Sequence, residues 1–312
     1  MEEETNNEDT ILETGMFDFL KEKKEQEDSD LYKSIKNIIF NTIEHIESRY
    51  KSKHNDPDYI ETDFCPLSFH RGDLIILAAR PYVGKTSFAL SLGNQIALKK
   101  NIPVGYISLG CIDGYFEDFY LGQRFISINS GVPVHKIRSG MLRVSDVPKI
   151  QEAAKTLFDA PIYFINEPNS SFDTFAWKTQ LLIDTKQVQL IIINCFEMFE
   201  ELVDSEKKEY RYNLESILEK LKKFAIEQHI PIILEVELPP AEKDNEPSLL
   251  DFKKCMIIPY MADMVLFLYR DSLHEAVINQ DAKLNIVINK NGYTGDIPLL
   301  FYPEKSIFER RE

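Results

Sequence analysis

Residues 77–88 read "LAARPYVGKTSF". The apolar run "LIILAA" at 74–79 leads into them, and a helical pattern over 86–99 follows. Strand, turn and helix opening on Gly84-Lys85-Thr86 form the setting of a phosphate-binding loop. There, backbone N–H groups cradle phosphates and the helix N-terminus adds its partial positive charge. Lys85 reaches the β- and γ-phosphates, and the Thr86 hydroxyl ligates magnesium. The motif runs Ala79-x-x-x-x-Gly84-Lys85-Thr86, with Ala79 where the first glycine usually stands. The expected cofactors are ATP and Mg²⁺. The expected contacts are Ala79, Arg80, Pro81, Gly84, Lys85, Thr86 and Ser87. Against this, "LIIIN" at 190–194 ends in Asn194, where a nucleotide hydrolase normally shows Asp.

Outward from the loop, short apolar runs alternate with helical patterns. "VGYISLG" reads as a strand, 112–129 and 145–158 as helices, and "PIYFIN" as a strand. A helix at 172–185, the strand "LIIIN", a helix at 212–228 and the strands "PIILEV" and "MVLFLYR" follow. The chain closes on a hairpin turning at Asn291-Gly292. Such alternation predicts an α/β fold with a mostly parallel sheet covered on both faces. Trp177 falls in an apolar helix pattern and is expected in the core.

Upstream, residues 1–8 read as a disordered acidic tail. Helices are predicted at 10–24, opened by a Thr10-x-x-Glu13 capping box, and at 31–52, with Ile35, Ile39, Ile43 and Ile46 on one face. The predicted organisation is therefore a tail (1–8), a helical linker or oligomerisation segment (9–58) and an ATP-binding domain (59–312).

The 312 residues carry a net charge of −15 and are 44% hydrophobic, which suits a packed core. Residues 1–30 hold twelve acids and three lysines, so −9 of the net −15 lies there. An acidic surface lowers the expectation of nucleic-acid binding, which draws on Lys and Arg. No apolar run approaches the ~20 residues of a membrane span, and no signal peptide is visible. Cys65, Cys111, Cys195 and Cys255 lack ligand spacing, which points to a reducing cytoplasm rather than to zinc or disulfides.

"GDLIILAARPYVGKTSFAL" at 72–90 closely resembles the C-terminal RecA-like domain of DnaB-type replicative DNA helicases. The likeness continues through "VHKIRSGML" (134–142), "APIYFINEP" (160–168), "IPIILEVEL" (230–238), "ADMVLFLYRD" (262–271) and "NIVINKNGYTG" (285–295). It implies a RecA-like P-loop core. It also implies that the upstream helices match the family's linker, which docks on a neighbouring subunit, and that the family's N-terminal helical domain is absent from these residues. The family's water-activating Glu falls on Gly110, its Walker B Asp on Asn194, its sensor Gln on Glu237 and its trans-acting Arg finger on Lys290. A general base contributes about 10²–10⁴ in rate, and an Arg finger about 10³–10⁵.

The resemblance therefore implies an ATP-binding, replication-associated protein with impaired hydrolysis, serving as a structural or regulatory partner. The alternative is an active, divergent helicase. Asp113, Glu117 and Glu197 are candidate substitute bases. Restoring Glu at 110 and Asp at 194 together is expected to raise turnover if the rest of the site is intact. Arg270 is expected either to approach the base or ribose or to serve packing. Lys207, Lys208, Arg211, Lys253 and Lys254 are the candidate DNA contacts, weakened by the five acids of "EVELPPAEKDNE" at 235–246. Partners are further copies of this chain or a true replicative helicase, engaged through helices 10–24 and 31–52.

Overall fold

A computed structural model describes residues 35, 38, 39, 42–44, 46 and 59–311, apart from 111–116, 204–206, 241–244, 253, 254 and 271–279. The chain divides into two compact units, 1–59 and 60–312. In the first, every described position from 35 to 46 is helical. Ile35, Ile38, Ile39 and Ile46 are exposed along it, and the Thr42 hydroxyl donates to the Ile38 carbonyl. The tail at 1–8 and the helix at 10–24 lie outside the described residues.

The second unit is built on a sheet of nine described strands. In chain order, a two-stranded ribbon β1 (Tyr59–Glu61) and β2 (Ser68–His70) precedes β3 (Leu74–Ala79), α1 (Lys85–Lys100), β4 (Val104–Ser108) and α2 (Glu117–Ser130). Next come α3 (Val134–Ser139), α4 (Val147–Phe158), β5 (Ile162–Asn166), α5 (Phe172–Lys186) and β6 (Leu190–Asn194). Then follow α6 (Glu200–Val203), α7 (Lys207–Gln228), β7 (Ile232–Glu237), α8 (Ile257–Met261), β8 (Met264–Arg270), β9 (Gln280–Asn289), β10 (Gly295–Tyr302) and β11 (Ile307–Arg310).

The sheet order is β11-β10-β9-β8-β3-β7-β6-β4-β5. β8, β3, β7, β6, β4 and β5 run parallel, and β9, β10 and β11 add an antiparallel margin. Every residue of β3 and β4 is buried, as expected of strands covered on both faces. Alternation sorts the side chains. Ile75, Leu77, Tyr106, Leu190, Ile192 and Ile233 pack with Phe88, Leu92 and Ile96 of α1. Leu74, Ile76, Ile191, Ile193 and Leu234 pack with Phe175 of α5 and Leu214, Leu218 and Leu221 of α7. The α/β architecture read from the sequence is the architecture observed.

Three readings change. Trp177 is 65% exposed. The buried face of α5 is set by Phe172, Phe175 and Thr179, and Trp177 stands two residues from both Phe175 and Thr179, about 200° around the helix. Helix α3 and strands β1, β2 and β11, three to six residues long, are too short to stand out in the sequence pattern. Finally, α7 begins at Lys207 rather than at 212, so Lys207, Lys208 and exposed Arg211 occupy its first turns.

Candidate nucleotide-binding site

The 77–88 segment folds as strand, turn and helix, with the turn at the carboxyl end of β3. Ala79 closes that strand, fully buried. Tyr82 (φ 64°, 91% exposed) and Gly84 (φ 107°) bend the chain back into α1. Gly84 is required twice over: its φ suits glycine, and a Cβ there would meet the Phe308 ring at 3.2 Å. No side chain caps α1, and its first turn holds no acid. Its leading N–H groups therefore face the loop mouth with no side-chain acceptor, as an anion site requires.

Two arginines brace this turn. Arg80 donates to the Pro239 carbonyl at 2.7 Å and pairs with Asp251 at 3.1 Å. Arg270, expected at the base or ribose or in packing, turns under the loop. It donates to the Tyr82 carbonyl at 2.6 Å and to Gln280, over the Phe301 ring. Burial pushes its guanidinium down to about 10. The Ser87 hydroxyl is also turned inward, 2.6 Å from Ser306 Oγ, which leaves only the Ser87 backbone for a ligand. Pro81 shapes the turn and makes no polar side-chain contact.

Carboxylates meet the two reactive side chains of the loop. Lys85 Nζ lies 3.2 Å from Glu237 Oε2, so a carboxylate holds the cation expected to meet a phosphate. Thr86 Oγ1 donates to Glu235 Oε2 at 2.9 Å, and the Tyr106 hydroxyl donates to Glu235 Oε1, also at 2.9 Å. Glu235 is 2% exposed. Burial raises its carboxyl above the ordinary value, against the two hydroxyl bonds and the nearby Lys85 and Arg124. It therefore does not belong to an acidic loop rim, as the acids of 235–246 suggest when read together; it is an interior residue of β7.

Glu197, in the turn after β6, accepts from the Glu237 backbone N–H at 3.4 Å. Burial pushes its carboxyl up to about 7, although backbone hydrogen bonds and Lys85 pull it down. Thr86 and Glu235 offer the hard oxygen donors magnesium prefers, and two protein ligands leave room for water and phosphate oxygens. The residues present fit Mg²⁺-nucleotide.

Gly110, Asn194 and Lys290 fall in different places. Gly110 follows β4, and a Cβ there would stand 2.7 Å from Cys195 Sγ. A glutamate therefore does not enter position 110 without disturbing Cys195. Asn194 ends β6, half-buried beside Ser108 of β4. Lys290 follows β9 and pairs with Asp263 at 3.4 Å. Asp263 also binds Lys222 and the Leu74 backbone N–H, at the amino end of β3. The six residues of β3, about 20 Å, separate that end from the P-loop. Lys290 does not serve its own chain's loop.

Asp113, Lys253 and Lys254 lie outside the described residues. Glu117 opens α2. Sequence reasoning passes over Glu235, Tyr106 and Arg124. The one available signal for Glu235 is an acid inside an apolar strand.

The family model described as "DnaB-like helicase C terminal domain" matches residues 58–310. The replicative DNA helicase DnaB of Treponema pallidum (strain Nichols) is 29% identical over 275 residues, 86% of this chain and 60% of that protein. The replicative DNA helicase DnaC of Bacillus subtilis (strain 168) is 28% identical over 93% of this chain and 65% of its own. The chain thus spans about three-fifths to two-thirds of these relatives.

Among solved structures, an ATPase domain superposes with a TM-score of 0.71 at 20% identity, covering 91% of this chain and all of that one. A DnaB-like replicative helicase, whose structure was described together with its interactions with primase, gives 0.70 at 21% identity, covering 93% of this chain and 70% of that one. Both share the fold. With the family match extending from the first strand to the last, this chain belongs to the DnaB-like helicase C-terminal domain family.

Proposed function

We propose that this domain binds ATP with Mg²⁺, hydrolyses it slowly, and acts in DNA replication in the cytoplasm as a structural or regulatory partner. The observation that carries this reading is a contrast within one site. The β3–α1 turn carries Gly84, Lys85 and Thr86 with the α1 N-terminus free of a side-chain cap, while a Cβ at position 110 would stand 2.7 Å from Cys195 Sγ. When bound, the metal would neutralise phosphate charge. Lys85, the α1 backbone and Thr86 would hold and orient the nucleotide.

The exposed isoleucine stripe at 35–46 supports contact with a second copy or a replicative helicase. Residual DNA contact is assigned to Lys207, Lys208, Arg211, Lys253 and Lys254. Calorimetry tests the core of the reading: ATP binds at micromolar or tighter Kd, and Lys85→Ala abolishes the signal. ATP turnover above about 1 s⁻¹, the low end of ordinary enzyme rates, would overturn the slow-hydrolysis part.

One observation favours the second reading, an active and divergent helicase. Glu197 lies against the Glu237 backbone, and its carboxyl is pushed up to about 7, the range that suits a general base near neutral pH.

A further inference from the structure

We propose, building on the nucleotide-binding reading, that the carboxylate steadying the nucleotide's magnesium in this chain is Glu235 of β7. The function has moved one strand along the sheet from the position now occupied by Asn194.

P-loop enzymes hold magnesium between the loop Ser/Thr hydroxyl and a strand-end carboxylate. Here the Thr86 hydroxyl already donates to a carboxylate, that of Glu235, at 2.9 Å. The sheet register explains how a residue on β7 reaches that spot. β6 and β7 pair in parallel as Ile191 with Ile232, Ile192 with Ile233, and Ile193 with Leu234. The next step along both strands sets Asn194 beside Glu235, about 4.8 Å away. Ile192 and Ile233 both pack on the α1 face. Side chains two residues further along each strand point the same way, so Asn194 and Glu235 both address the helix that carries Thr86.

The Tyr106 hydroxyl holds the other carboxylate oxygen at 2.9 Å, which fixes Oε2 towards Thr86. An acid inside a strand is costly unless it is partnered, and the partner here is the loop's own metal-ligating hydroxyl. The neutral amide at 194 also becomes intelligible. Two carboxylates about 5 Å apart would repel, and one would take up a proton. The site holds one acid at that height of the sheet, and it stands at 235.

The competing account makes Glu235 a brace for the loop with no part in metal binding. The two differ in how magnesium changes affinity. Titration of a fluorescent ATP analogue into the full chain, in excess Mg²⁺ and in EDTA, gives a ratio of dissociation constants from which any common loss cancels. Removing a group that orients a metal costs about 10–100-fold in metal affinity. The wild-type ratio is therefore expected at about tenfold or more, falling towards one in Glu235→Gln. Adding Asn194→Asp to that variant should restore most of the ratio.

A ratio unchanged by Glu235→Gln, a fall that Asn194→Asp does not rescue, or a wild type indifferent to magnesium would each overturn the proposal while leaving nucleotide binding standing. A wild type that binds no nucleotide would sink both. If circular dichroism shows the Gln variant unfolded, Glu235→Asp replaces it. That variant keeps the charge and shortens its reach by one methylene, and it should lower the ratio; an undiminished ratio overturns the proposal.

Discussion

Placing an acid at position 110, where the family resemblance puts the water-activating one, is a physical problem before it is a chemical one. The first side-chain atom of any residue there would lie 2.7 Å from Cys195 Sγ and 3.1 Å from its Cβ. Overfilling a packed site of this kind costs about 1–3 kcal/mol. In a domain of this size that lowers Tm by roughly 2–4 °C per kcal/mol. Cys195 itself sits at φ 56°, a left-handed conformation that costs a non-glycine residue about 1–2 kcal/mol.

Cys195→Gly removes both the obstructing sulfur and that penalty. Gly110→Glu alone is therefore expected to lower Tm and leave turnover flat, and Gly110→Glu with Cys195→Gly to recover most of the loss. Turnover should rise only in the double variant, by up to the 10²–10⁴ of a general base. Circular dichroism melts and a coupled phosphate-release assay read the two effects. A Gly110→Glu variant as stable as wild type, or a double variant no more stable than the single, would refute the steric reasoning. Equal turnover in single and double variants would show that the obstruction does not matter to catalysis.

Two further outcomes follow from the carboxylates around Lys85. Glu237 is 60% exposed on its side chain, so its ion pair is worth only about 0–1 kcal/mol. Glu237→Gln frees Lys85 and should tighten ATP binding by up to about fivefold, read by calorimetry; weaker binding would mean Glu237 helps to hold the nucleotide. Glu197 has a folded-state carboxyl at about 7, against an ordinary value of 4.5. Stability from its protonated form is complete below pH 4.5 and lost as pH rises through about 7. At about 1.4 kcal/mol per unit, the loss is on the order of 3–4 kcal/mol. Glu197→Gln should flatten Tm between about pH 5 and 8, and an unflattened profile would place the burial effect elsewhere.

What is legible in the sequence is what is written locally. Gly84-Lys85-Thr86 after a buried strand announces a loop, because glycine torsion, helix start and ligand groups are contiguous. The parallel sheet follows from uninterrupted apolar runs. The site's departures are written non-locally. Glu235 meets Thr86 across 149 residues and Tyr106 across 129, and "PIILEVEL" shows only an acid inside an apolar strand, not what it touches. The obstruction of Gly110 by Cys195 depends on β4 and β6 being neighbours, with Ser108 beside Asn194. Arg270 sits at a strand end facing the loop, which suggests ligand contact. Only the position of the Tyr82 carbonyl reveals that it supports the loop's backbone. Trp177 is misplaced when apolar content is read without helical phase.

The exposed indole of Trp177 has a practical side. It is the only tryptophan in the chain, and it already stands in water in the native state. Its emission is therefore red-shifted before any unfolding begins and changes little as the domain melts. A denaturation curve followed by tryptophan emission would therefore have a small amplitude. The same property makes the indole an unlabelled reporter, open to iodide quenching until another surface comes to rest on α5.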